Sequence, residues 1–102
     1  MLRWKIEERL EQYYIEGDID RCNVDAFCSA LKKLPQGGIL DMGELDIEDG
    51  VSMASIVSAL RLLRPLVLVE APQMLAHTLY KTHMLSTGIT LVRPREDDDF
   101  RD

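Results

Sequence analysis

Apolar and polar residues alternate at the start of the chain, with Leu2, Trp4 and Ile6 set against Arg3, Lys5 and Glu7. A period of two marks a half-buried strand, and this segment reads as an edge strand. After Glu8 and Arg9, the segment Leu10 to Glu16 carries the strand formers Tyr13, Tyr14 and Ile15 and stops at Gly17, so the two segments are expected to pair as a hairpin. The period then changes to 3.6. Val24, Phe27, Cys28, Leu31 and Leu34 mark one face of a helix that Asp20 or Asn23 can cap. Lys32 and Lys33 suit its C-terminal dipole, and Pro35 with the Gly37-Gly38 pair stops it.

Ile39, Leu40 and Met42 form a short apolar run read as a central strand, followed by an acidic loop through Glu44, Asp46, Glu48 and Asp49. Val51, Ala54, Val57, Leu60 and Leu63 recur at helical spacing, with Asp49 or Gly50 as the cap and Pro65 as the stop. Leu66 to Val69 is uninterrupted and apolar, as expected of a mid-sheet strand covered on both faces. Pro72 opens a helix through Leu75, Leu79 and His83, Gly88 breaks it, and Ile89 to Val92 makes a last strand. The order β-β-α-β-α-β-α-β predicts one α/β domain over residues 1–92. Its sheet is mixed and mostly parallel, with an antiparallel N-terminal edge hairpin and helices packed on it. Residues 93–102, with three consecutive aspartates, are expected to be an acidic mobile tail.

Composition removes several functions. Among 102 residues, 46% are apolar and 29% charged, a globular balance. The net charge of −6 argues against a phosphate backbone as partner, because that affinity comes from clustered Lys and Arg. Arg61, Arg64, Pro65 and Glu70 interrupt the densest apolar stretch, far short of the roughly 20 residues a spanning helix needs. No apolar leader follows Met1, so a cytoplasmic protein without membrane insertion is expected. Cys22 and Cys28 match neither a redox pair nor a zinc-ligand spacing and read as reduced, structural thiols. His77 and His83 lie six apart, which does not place them on one metal ion. With no phosphate-binding loop, nucleophile elbow or paired catalytic groups, neither an enzyme nor a cofactor is expected.

In open α/β sheets, contacts gather where strands lead into helices, here the loops from Gly17 to Asn23, Gly43 to Gly50 and Glu70 to Pro72. Gly17-Asp18-Ile19-Asp20, then Leu40-Asp41-Met42-Gly43-Glu44-Leu45, then Asp49 eight residues beyond Asp41, together resemble the STAS family of sulfate-transporter tails and anti-sigma factor antagonists. The resemblance runs from about Trp4 to Arg93. It implies a regulatory domain that docks onto a GHKL-type kinase or anti-sigma factor through Asp18, Asp20, Asp49, Gly50, Val51, Ser52, Met53 and Ser55. A homodimer is compatible with it. In the antagonist branch, the first serine of an aspartate-serine-serine-glycine-leucine motif is phosphorylated, and the added charge of about −1.5 to −2 releases the partner. Aligned without gaps, Gly50 takes that serine's place, Val51 the second serine's, Ser52 the glycine's and Met53 the leucine's. The resemblance therefore implies docking without the standard phosphoserine, or with Ser52 as acceptor. The family also contains cytoplasmic accessory subunits of ABC lipid transporters, which makes a transporter subunit the alternative partner.

The same residues have plain structural readings. Asp49 is a good helix cap, worth about 1 kcal/mol, Gly50 an ordinary turn residue and Ser52 an ordinary first-turn residue. The methionines Met42, Met53, Met74 and Met84 read as core fillers or contact residues.

Overall fold

The computed structural model describes residues 3–95. Five strands, β1 (Trp4–Arg9), β2 (Gln12–Ile19), β3 (Ile39–Ile47), β4 (Leu66–Val69) and β5 (Ile89–Val92), form one sheet in sequential order. β1 and β2 are antiparallel, and every later pairing is parallel. Helices α1 (Val24–Leu31), α2 (Met53–Arg61) and α3 (Gln73–Lys81) connect the parallel strands, and a short 3₁₀ turn, Met84–Ser86, precedes β5. The α/β class and the order of elements agree with the sequence reading.

Because each crossover steps to the next strand in the same direction and is right-handed, all three helices lie on one side of the sheet. The core fills the gap between them. Ile15 and Ile19 from β2, Leu40, Met42 and Leu45 from β3, and Leu66 and Leu68 from β4 face Phe27, Leu31, Ile56, Leu60, Leu75 and Leu79 from the helices. In β4 Leu66 and Leu68 are buried under the helices, and on the other face Val69 is buried and Val67 half-buried, in line with a strand covered on both faces.

β3 is longer than its apolar run suggested. Glu44 and Asp46 belong to the strand rather than to a loop, because the alternation continues through Leu45 and Ile47, and Glu44 to Ile47 pair with Glu16 to Ile19. Between Tyr14↔Asp41 and Glu16↔Glu44 the register gains one residue on β3, a bulge at Met42-Gly43. The bulge turns Leu45 back toward the helices after Leu40 and Met42, keeping all three in the core. β4 pairs only with Ile39 to Asp41, so β3 runs on beyond it.

Other boundaries shift by a few residues. β2 continues through Gly17 to Ile19, and the turn before it is Leu10-Glu11. α1 ends at Leu31, and α2 begins at Met53 rather than Val51. His83 adopts a left-handed conformation beyond α3. Arg61 and Lys81 occupy the last turns of α2 and α3, while exposed Lys32 and Lys33 follow α1. Arg93 to Arg95 fold back onto the sheet; the remainder of the expected tail, and Leu2, lie outside the described residues.

Two backbone positions yield tests. At Gly17, with φ of +118°, a Cβ would stand 2.1 Å from the Arg3 carbonyl oxygen and 2.4 Å from the Trp4 Cα, both fixed backbone. Gly17→Ala should cost about 2–3 kcal/mol through strain at this crossing. Urea unfolding followed by fluorescence of Trp4, whose ring meets Phe27 edge-on at 5.3 Å, would register it. Leu10 and Glu11 both have positive φ, 50° and 68°, in a two-residue hairpin turn that favours Asn-Gly. Replacing them by Asn and Gly should stabilise the chain by about 1 kcal/mol, read as a higher urea midpoint with unchanged slope.

Candidate functional site

The C-terminal ends of β2 and β3 carry most of the residues marked in the sequence, held by two differently built loops. After Ile19 the loop is fixed by local polar bonds. One Asp20 carboxylate oxygen accepts the N–H groups of Cys22 (2.9 Å) and Asn23 (3.0 Å), while the Asn23 side chain accepts from Asp20 N–H (2.8 Å) and donates to the Asp18 carbonyl (3.0 Å). The other Asp20 oxygen takes Arg3 at 2.8 Å, and Arg3 reaches Asp18 at 3.4 Å. Asn23 is the N-cap residue of α1 by position, yet its side chain makes no capping bond. The first helical N–H, that of Val24, donates instead to the Asp20 carbonyl at 3.0 Å. The Asp20 carboxylate is thus engaged inside the protein, and Asp18 is the more exposed of the two, at 52% against 18%.

After Ile47 the chain makes a tight turn. The Glu48 N–H continues the sheet to the Ile19 carbonyl at 2.9 Å, and the Val51 N–H closes back onto the Glu48 carbonyl at 3.3 Å. Gly50 is the third residue of this turn, and its φ of +91° is what a type II turn demands there. Asp49 and Gly50 therefore form the turn and do not cap the helix, which corrects the sequence expectation. Ser52 is the cap: its hydroxyl oxygen accepts the Ser55 N–H at 3.4 Å and lies 3.3 Å from the Ser55 hydroxyl.

The predicted contact residues separate by exposure. Asp49, Gly50 and Ser52 are exposed and contiguous, while Ser55 and Met53 are half-buried. Val51 is 6% exposed and belongs to the core, so it anchors the turn rather than lining its surface. Arg21 was not singled out in the sequence, where it is one charged loop residue among many. Its guanidinium lies over Gly50, with Nε 3.3 Å from where a Cβ would be. Among the described residues Arg21 takes part in no ion pair. The exposed surface of the turn is thus an aspartate, a bare backbone, a serine hydroxyl and a guanidinium. Such a set can accept and donate hydrogen bonds to a partner, but it contains no nucleophile paired with a base.

Elsewhere, burial pushes the Cys28 thiol above its ordinary range, with Lys32 opposing the shift and Asp25 adding to it, whereas Cys22 is exposed. Among the described residues no three His, Cys, Asp or Glu side chains are grouped as metal ligands. None of the described helices is long and apolar enough to cross a membrane. No protein-family model matches the chain, and no curated protein matches it.

Ser52→Ala should destabilise the protein by about 1 kcal/mol through loss of the cap, measured as a shift in urea midpoint. Gly50→Ala should cost about 1–2 kcal/mol, because a residue with a Cβ is disfavoured at this φ. Iodoacetamide at pH 8 should modify Cys22 in the folded protein, and modify Cys28 only in urea, as followed by intact mass.

Proposed function

We propose that this chain is a STAS-type docking module that binds a GHKL-type kinase, an anti-sigma factor or a similar regulator in the bacterial cytoplasm. The Asp49, Gly50 and Ser52 surface makes the contact, and the phosphoserine switch of the family's antagonist branch is not used. The single observation that carries this reading is the backbone of the turn itself. An exposed type II turn stands between a nine-residue strand and a capped helix, at the place the family resemblance assigns to the partner contact. With φ of +91° at position 50, the residue aligned with the phosphorylated serine adopts a conformation that favours glycine, so the absent hydroxyl belongs to the shape of the turn.

Asp49 supplies the negative contact and Arg21 a positive one beside it, while Val51 and Met53 hold the turn against the core. If a phosphate cycle operates, Ser52 is its acceptor: it is exposed and heads α2, and a phosphate there is favoured by the helix N-terminus. A second reading gains from the missing hydroxyl at position 50. A cytoplasmic accessory subunit of an ABC-type lipid transporter uses the same surface as a fixed contact and needs no acceptor.

Affinity capture of the tagged chain from its native lysate, with intact-mass measurement before and after adding ATP, separates these readings. Recovery of a GHKL-type ATPase, with retention lowered at least about ten-fold by Asp49→Lys, is expected. Transporter subunits alone would sink the signalling reading. ATP-dependent mass gain that persists in Ser52→Ala would remove Ser52 as acceptor.

A further inference from the structure

A second surface lies where β3 and β4 part. β4 leaves β3 after Asp41↔Val69, and the β3 flank from Met42 to Ile47 has no strand partner on that side among the described residues. An unpaired flank of this length invites an extended segment. Its first position is filled by a side chain. The Arg95 guanidinium donates to the Met42 carbonyl at the bulge and, through Nε, to the Glu70 carbonyl at 3.2 Å, and its third nitrogen stands 3.7 Å from the Asp46 carboxylate. Three oxygens, two from β3 and one from the residue that follows β4, thus converge on one planar fork, a pattern that suits arginine and not the single point charge of lysine.

The guanidinium is held by several bonds, but the backbone leading to it, Arg93 and Pro94, is exposed. Arg95 has its carbonyl bonded to the Gln73 side chain at 3.2 Å, and Arg93 reaches Glu70 at 3.7 Å with 70% of its side chain exposed. Both Glu70 and Arg93 have positive φ, 54° and 53°, a conformation that costs non-glycine residues on the order of 1 kcal/mol or more. Pro94 and Arg95 also divide two hollows. One of about 140 Å³ is lined by Ala71, Ala76, Leu91 and Val92, and one of about 470 Å³ by Gly43, Glu70 and Arg93. Glu44, Asp46 and Glu48 make the adjoining flank of β3 acidic.

We propose that the notch between β3 and β4 is a binding site for an arginine on an extended, basic segment of a partner protein, and that Arg95 is its displaceable internal occupant. The partner's arginine takes the Met42 and Glu70 carbonyls and the Asp46 carboxylate, and its backbone adds along β3. The acidic flank selects a basic segment. Glu96-Asp97-Asp98-Asp99, which follows Arg95 in the sequence, has the wrong charge for that role. This inference stands apart from the Asp49 to Ser52 surface.

The test compares full-length wild type with Arg95→Ala, using the capped pentapeptide Thr-Val-Arg-Val-Thr and its lysine counterpart, followed by amide NMR. Arg95→Ala should bind the arginine peptide at least about ten-fold more tightly than wild type and than it binds the lysine peptide, with shifts centred on Gly43 and Ala71. Adding Asp46→Asn should weaken that binding several-fold. Equal affinity of wild type and Arg95→Ala, or of the two peptides, would overturn the proposal. Should Arg95→Ala not fold, Arg95→Gln takes its place, and wild type gives an independent reading. Excess arginine peptide should move the Arg95 Nε–H resonance to its solvent-exposed position, and a resonance that does not move refutes displacement.

Discussion

Right-handed crossovers between neighbouring parallel strands impose the plan of this protein. With the strands in sequential order there is no reversal that would send a helix to the opposite face, so α1, α2 and α3 form one layer and the sheet the other. The core is a single slab, in which side chains of the sheet and of the helices, Phe27 to Leu79 among them, form one buried cluster. The loops that join strand to helix are forced to one end. That is why Asp18, Asp20, Asp49 and Ser52, far apart in the sequence, stand together.

Within that plan β3 organises the surface. Its bulge at Met42-Gly43 keeps Leu40, Met42 and Leu45 in the core despite a change of register. The same bulge lies where β4 departs and where Arg95 finds the Met42 carbonyl. Beyond it β3 continues, paired among the described residues to β2 alone, and delivers the Glu48 to Val51 turn. One local irregularity thus separates two surfaces, the exposed turn at the tip and the notch on the flank.

The class and order of elements were legible because apolar spacing reports burial, and burial here is one-sided and regular. The spacing was less informative where glycine or charge masked it. Gly17 reads as a strand end, yet it lies inside β2 because its missing Cβ lets Arg3 and Trp4 pass close. Glu44 and Asp46 read as loop because two carboxylates outweigh Leu45 and Ile47 to the eye, although their alternation is that of a strand. In the candidate site, Asp49, Gly50 and Ser52 were visible as residues, but the division of labour between turn and cap depended on the positive φ at Gly50. Arg21 and Arg95 were not legible as participants. Each acts across space on a backbone segment remote in sequence, and no local pattern encodes such a contact.

The common direction of the three helices has an electrostatic consequence. Their C-termini share one end of the molecule with Lys32, Lys33, Arg61 and Lys81, and their N-termini share the other with Asp18, Asp20, Glu48 and Asp49, where Arg3 and Arg21 offset part of the acidic charge. Full side-chain charges outweigh the half charges of the helix ends, so the described residues carry a moment along the strands. A charged partner approaching in solution feels a torque on this molecule before any atom touches. It meets the acidic or the basic pole according to its own sign, and the selection of which end is engaged begins at a distance of about one Debye length, on the order of 8 Å.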